Sequence, residues 1–203
     1  MKIAMFGATG MIGSRIVREA LSRGHHVTGW SRSGGDVPQG AHAATGDLAD
    51  PATVDAAAAG HDVLVSATGP DRSGGPHEPW LEAVQTLVDH AGGARVLFVG
   101  GAGSLVGPDG TRLLDGPDFP AEYLAEARSG AAALDVFRTA PESLDWTFLS
   151  PAPVIAPGER TDTYRTALDT PAGPSVSAEN YAAALLDEIE QPRHRRQRFT
   201  VAD

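Results

Sequence analysis

Seven residues near the N-terminus, Gly7-Ala8-Thr9-Gly10-Met11-Ile12-Gly13, constrain this chain more than any other stretch. They separate a short apolar run, Lys2–Phe6, from an amphipathic segment, Met11–Arg23. An apolar run of that length ending in glycine reads as a buried strand. In the next segment Ile12, Ile16, Val17, Ala20 and Leu21 recur at helical spacing, and Gly24 stands where a helix would end. The order is therefore strand, glycine turn, helix. Gly7 permits a sharp turn without a Cβ clash. Gly10 lets the backbone approach a pyrophosphate closely, and Gly13 lets the helix pack tightly on the strand. The helix N-terminus would aim free N–H groups and a partial positive charge at the same phosphates.

The rest of the chain repeats the alternation. Strands are expected at His26–Trp30, Ala41–Thr45, Asp62–Ala67, Arg95–Val99, Leu144–Leu149 and Arg198–Val201. Helices are expected from Pro51 to about Ala59 behind an Asp50 cap, over Pro79–His90 and Pro120–Thr139, and from a Ser177 cap to about Glu190. Such alternation predicts an α/β, Rossmann-type doubly wound fold, a mostly parallel sheet with helices on both faces. The 203 residues suit a single domain, 1–203. The Gly/Pro/Asp-rich stretches 70–79, 102–119 and 153–175 are expected to form the substrate pocket at the C-terminal edge of the sheet.

A net charge of −10 speaks against a nucleic-acid partner. No cysteine is present, and the seven histidines are scattered without zinc-ligand spacing, so no metal is expected. The N-terminal apolar run breaks at glycine too early for a signal peptide, and no apolar stretch is long enough to span a membrane. The expectation is a cytoplasmic protein, monomer or homodimer, with no membrane partner. Arg193, Arg195, Arg196 and Arg198 read as a solvated or salt-bridging edge strand.

A dinucleotide site selective for the unphosphorylated ribose usually has Asp or Glu at the end of the second strand. Here that region is Gly29-Trp30-Ser31-Arg32-Ser33, with no carboxylate before Asp36. Arg32 suits a 2′-phosphate and an adenine face, Ser31 and Ser33 add hydroxyls, and Arg15 is expected to approach the same phosphate. The residues favour NADP(H) over NAD(H).

Five segments occur in order: GATGMIG at 7–13, GDLAD at 46–50, VSATGP at 65–70, VGGAGSL at 99–105 and LDWTFLSPAP at 144–153. With them the chain resembles the atypical short-chain dehydrogenase/reductases of the NAD(P)H-binding type. Within that group it is most similar to proteins provisionally assigned as NADH-flavin reductases and to the biliverdin reductase B/flavin reductase group. The resemblance covers nearly the whole chain. It implies that Gly7, Thr9, Gly10, Met11 and Ile12 hold the pyrophosphate and that Arg32 sits at the adenosine ribose. It also implies that Asp47 and Leu48 flank the adenine, and that Ala67, Thr68 and Gly69 line the path to the nicotinamide ribose. Gly100 and Gly101 would border the nicotinamide, and Ser150-Pro151-Ala152 would close its far side.

The chain departs from the wider group in its chemistry. Tyr123 is followed four residues later by Ala127, so the usual Tyr-x-x-x-Lys pair is absent. Leu124 stands where close relatives often carry lysine, and Gly100-Gly101 where the reductases often carry serine. Flavin reduction tolerates these losses, because hydride passes between two stacked rings that the protein mainly orients. The resemblance therefore implies NADPH-dependent hydride transfer to FMN, FAD or another small planar organic acceptor such as a quinone. Alternatives on the same scaffold are a non-redox isomerase or cyclase, and an NADP(H)-sensing protein.

Ser104, His77 and Tyr123 are the candidate hydrogen-bond or proton donors near the ligand edge. Each also has a plain structural reading: a turn, a helix start and a packing residue, respectively. Trp80 and Tyr164 suit an aromatic wall for a planar substrate, and Trp80 equally suits the core beside Val84 and Leu87.

Overall fold

The computed structural model describes residues 1–203. In chain order its elements are β1 (Lys2–Phe6), α1 (Met11–Ser22), β2 (His26–Ser31), β3 (His42–Thr45), α2 (Pro51–Gly60), β4 (Val63–Ser66), α3 (Glu78–His90) and β5 (Arg95–Val99). Then follow α4 (Leu124–Arg138), β6 (Trp146–Pro151), β7 (Val154–Ala156), β8 (Arg165–Ala167), β9 (Ser175–Ser177), α5 (Ala178–Glu190) and β10 (Gln197–Ala202). The main sheet has the order β3-β2-β1-β4-β5-β6-β10-β8, and β7 pairs with β9 in a separate ribbon. All main-sheet pairings are parallel except that of β10 with β8.

Capping chemistry sets the helix ends. The Asp50 carboxylate accepts from the Ala52 amide at 3.2 Å and from the Thr53 hydroxyl at 2.8 Å, with Pro51 at the first helical position. Ser177 accepts from the Asn180 amide at 3.0 Å and starts α5. Gly24 takes φ +80° just after α1, a conformation that favours glycine.

Alternation along the strands builds two cores. Ile3, Met5, Val63, Val65, Leu97, Leu149 and Phe199 face α1 and α5. Ala4, Phe6, Leu64, Val96, Phe98 and Phe148 face the opposite way, toward α2, α3 and α4. The second core is centred on aromatics: Phe98 lies 5.0 Å from Phe137 and 5.2 Å from Phe148 between ring centroids. Helices thus cover both faces, as the alternation of elements predicts.

α1 is fastened to α5 by an ionic network. Arg23 donates to Glu19 at 2.7 Å, Asp187 at 2.6 Å and Glu190 at 2.8 Å. Arg160 reaches in to bind both Glu19 oxygens at 3.0 and 2.8 Å. Burial acts to raise the Glu19 carboxyl, but the hydrogen bonds from Arg160 and Arg23 outweigh it and hold the group below the usual carboxylate range.

The structure corrects several expectations. Segment 153–175 carries two short strands, β7 and β8, and runs into a third, β9, because its chain returns to pair with distant partners: Val154 with Ser175, and Thr166 with Val201. β8 therefore occupies the sheet edge, and β10 lies inside it. Arg198, expected on a solvated or salt-bridging edge strand, lies instead on an interior strand, where it is buried, ion-paired with Asp169 and bonded to Ser104. The helix expected from Pro120 opens as a 3-10 turn, Ala121–Tyr123, before α4 proper.

Candidate active site

The strand order reverses between β1 and β4, and the crevice beyond their C-terminal ends is where an open α/β sheet binds ligands. Its floor is the glycine loop. Gly7 has φ +81°, and a Cβ there would lie 2.7 Å from the Ala67 carbonyl oxygen. A Cβ at Gly13 would meet the Gly7 oxygen at 2.0 Å, so only glycine lets α1 start this close to β1. Gly10 differs, since its nearest neighbour would stand at 3.5 Å and the chain itself tolerates a side chain there. The surface over Gly10 is kept bare without any packing requirement, which is the cradle a pyrophosphate needs.

The electrostatics agree with that shape. Gly10 caps α1 with no side-chain hydrogen bond, and the first turn carries no acidic residue. The Gly10 amide turns back to Gly7 at 3.2 Å, and the Ser14 amide makes the first helical bond, to the Gly10 carbonyl. The amides of Met11, Ile12 and Gly13 have no acceptor within the chain and remain available to an anion. Thr9, Gly10 and Met11 are exposed at the rim, and Ile12 is half-buried beneath them.

Arg32 follows β2, is exposed and makes no ion pair. Arg15 does not join it. Its guanidinium donates to Glu179 at 2.5 Å and to the Met11 carbonyl at 2.8 Å, which fixes it between α1 and α5. Asp47 and Leu48 follow β3. The Asp47 carboxylate accepts from the Ala49 amide at 3.0 Å, and Leu48 is buried in the α2 side of the core.

Ala67, Thr68 and Gly69 continue from β4 beside the glycine loop. Thr68 is held on both sides: its hydroxyl pairs with Ser66 at 3.0 Å and accepts from the Trp80 indole at 3.2 Å. Trp80 also packs on Phe98 and on the α3/α4 core. Tyr164 belongs to the other face, packed against the α1/α5 core with its hydroxyl donating to Asp187. The two aromatics therefore form no common wall. The fixing of Thr68 by Ser66 and Trp80 lies outside the sequence reading; its one visible signal is a serine closing an otherwise apolar strand.

Gly100 and Gly101 follow β5. A Cβ at Gly100 would enter the Phe148 ring at 1.9 Å, whereas Gly101 has open space. Pro151 ends β6 and is buried. The Ser150 hydroxyl beside it is buried without a hydrogen-bond partner. An orphaned hydroxyl at the strand end nearest Gly100, together with the bare loop at Gly10, fits a polar ligand laid across the sheet edge.

The three candidate donors are not brought together. His77 precedes α3, with Nδ1 2.7 Å from the Ser129 hydroxyl and Nε2 3.0 Å from the Asp71 carbonyl. Because a carbonyl only accepts, Nε2 carries the proton. Ser104 is buried and accepts from Arg198 at 3.1 Å, toward β10. Tyr123 stands at the start of α4, 59% exposed. Loop 70–79 is tied to α4 by His77 and by Arg72, which donates to Glu126 at 2.5 Å. No group of His, Asp and Glu side chains forms a metal cluster, and no helix is long and apolar enough to cross a membrane.

Known proteins share this architecture. Residues 7–192 match the family model described as NAD(P)H-binding. YwnB, an uncharacterised protein of Bacillus subtilis, is 38% identical over a 214-residue alignment covering 99% of this chain and 98% of that protein. A Burkholderia pseudomallei structure, provisionally described as an exported protein, is 44% identical, with full coverage of both chains and a TM-score of 0.89. A Streptococcus pneumoniae structure, provisionally described as an NADH-flavin reductase, is 34% identical with a TM-score of 0.89, covering 100% of this chain and 99% of that one.

Proposed function

Because the chain belongs to the NAD(P)H-binding family, we propose that it is an NADPH-dependent oxidoreductase, acting in the cytoplasm, that reduces a flavin or another planar conjugated acceptor such as a quinone. The observation that carries this reading is the set of unengaged amides at Met11, Ile12 and Gly13 above a glycine floor. They would hold the pyrophosphate, with Thr9 and Gly10 at its rim. Arg32, exposed and free of carboxylates, would pair with the 2′-phosphate in a charge-assisted contact. Asp47 and Leu48 would border the adenine.

The bound coenzyme supplies the hydride. The chain's part is to hold donor and acceptor rings in register and to exclude water between them. Thr68, braced by Ser66 and Trp80, gives the crevice one fixed wall. Gly100, Gly101 and Pro151 would give it a low, rigid floor at the nicotinamide end. A planar acceptor such as FMN needs orientation more than a protein acid, which accords with the absence of a Tyr–Lys pair. His77, Ser104 and Tyr123 remain candidate donors to the acceptor. The exposure of Tyr123 suits it best, since His77 and Ser104 are engaged by neighbouring groups. The provisional assignment of the pneumococcal relative supports a flavin acceptor.

The test is to mix purified protein with NADPH and FMN, then with a quinone, and to follow the nicotinamide absorbance. The expected result is acceptor-dependent oxidation, slower with NADH. Tight NADPH binding with no oxidation by any acceptor would overturn the reductase reading in favour of a non-redox or sensing role.

A further inference from the structure

A cavity of about 210 Å³ lies at the opposite edge of the sheet from the coenzyme crevice. Trp146 and Gln197, the first residues of β6 and β10, contribute to its lining. Arg138, Arg196 and Arg198 surround them, with Asp169 the one carboxylate among the lining residues. Three guanidinium groups against one carboxylate leave the cavity positive on a chain whose net charge is −10.

The local partners account for only part of this donor set. Arg198 is buried and donates to Asp169 and to Ser104. Arg196, with φ +55°, folds back so that its guanidinium caps the carbonyls of Pro141 and Leu144 at 2.7 and 2.8 Å, in the turn between α4 and β6. Arg138 keeps a loose contact with Asp135 at 3.3 Å and stands 3.8 Å from Asp169. Gln197 adds an amide donor. Trp146 is only 3% exposed, and its indole N–H has no acceptor anywhere in the chain. A buried indole N–H without an acceptor is costly, and in native proteins such a group ordinarily meets a ligand or an ordered water.

We propose that this cavity is a binding site for a small oxyanion, a phosphate or a carboxylate, remote from the coenzyme. The indole of Trp146 and the guanidinium of Arg138 would donate to it, beside Arg196 on the Pro141–Leu144 turn and Arg198 on Asp169. Its occupation would join the C-terminal end of α4 to β6 and β10.

The three tryptophans make the site directly observable. Their indole N–H resonances are recorded while inorganic phosphate is titrated into the full chain saturated with NADP⁺. Trp146→Phe, which retains a ring against Phe137, identifies the peak. The expected result is a saturable displacement of the Trp146 resonance at millimolar phosphate, with Trp30 and Trp80 unmoved. Binding should weaken several-fold in Arg138→Ala, a half-exposed position whose loss leaves the core intact. A parallel titration with succinate separates the sources: response to phosphate alone marks a phosphate site, response to both a general oxyanion site, response to succinate alone a carboxylate site. A Trp146 resonance unmoved by both anions overturns the proposal. So does a drift that never saturates and persists in Arg138→Ala, which means ionic screening only.

Discussion

A methyl group on Gly13 would stand 2.0 Å from the carbonyl oxygen of Gly7 and 2.9 Å from its carbonyl carbon. The equivalent methyl on Gly10 would find nothing nearer than 3.5 Å. Two glycines of one loop are therefore required for different reasons. Gly13→Ala should destabilise the fold by about 2–3 kcal/mol, as overpacking does, and lose coenzyme with it. Gly10→Ala should keep its melting temperature close to that of the parent and still lose most coenzyme affinity. Thermal unfolding paired with NADPH fluorescence titration checks both, and equal destabilisation of the two variants would contradict the distinction.

Arg32 touches no carboxylate, so its removal has no structural cost to confuse the result. Arg32→Ala should weaken NADPH binding by roughly tenfold, about 1.4 kcal/mol, while leaving NADH binding and melting temperature unchanged. An unchanged NADPH/NADH affinity ratio would remove the basis for NADP(H) preference.

Trp80→Phe keeps a ring against Phe98 but deletes the donor to Thr68. The loss is one hydrogen bond, about 1 kcal/mol of stability. If Thr68 is a fixed wall of the crevice beside the nicotinamide ribose, KM for the acceptor should rise several-fold and NADPH affinity should fall with it. Steady-state kinetics with varied acceptor separates the two parameters.

The carboxyls of Glu19, Asp187 and Glu188 all lie below their ordinary range. For Glu188, burial pushes upward, and the hydrogen bonds from His194 and from Arg95 at 2.5 Å outweigh it. A depressed folded-state pKa contributes stability above the unfolded value, which is about 4, and that contribution fades as pH falls through the folded value. Unfolding free energy measured in urea should therefore be flat near neutrality and decline on acidification below about pH 5. Glu188→Gln should flatten part of this decline and cost about 1–3 kcal/mol at pH 7, because the buried Arg95 loses its 2.5 Å carboxylate and keeps only Asp145, at 3.6 Å, as a counter-charge.

What could be read from the residues was mostly local. Asp50-Pro51, Ser177 and Gly24 announce helix ends because their chemistry acts within a few residues. The glycine loop is legible for the same reason. β7, β8 and β9 are three residues each and lie in a Pro- and Gly-rich stretch, so alternation has no length in which to register. Their existence depends on partners such as Ser175 for Val154, which no local pattern specifies. The engagement of Arg15 is illegible on similar grounds, since the carboxylate that takes it, Glu179, is 164 residues away. Tyr164 and Trp80 look alike in sequence, and only the sheet decides that they lie on opposite faces.

The fastening of α1 to α5 has a consequence for how the chain acquires its binding loop. Glu19 and Arg23 are held by Arg160, Asp187 and Glu190, all from the last quarter of the sequence. Closing contacts over such separations is slow, because the loop entropy must be met before any contact forms. α1 is thus among the last elements to be locked, and its unengaged amides gain their fixed aim only when α5 docks. Coenzyme capture should accordingly report completion of folding, appearing in refolding experiments with the final kinetic phase and not with the formation of β1 and α1.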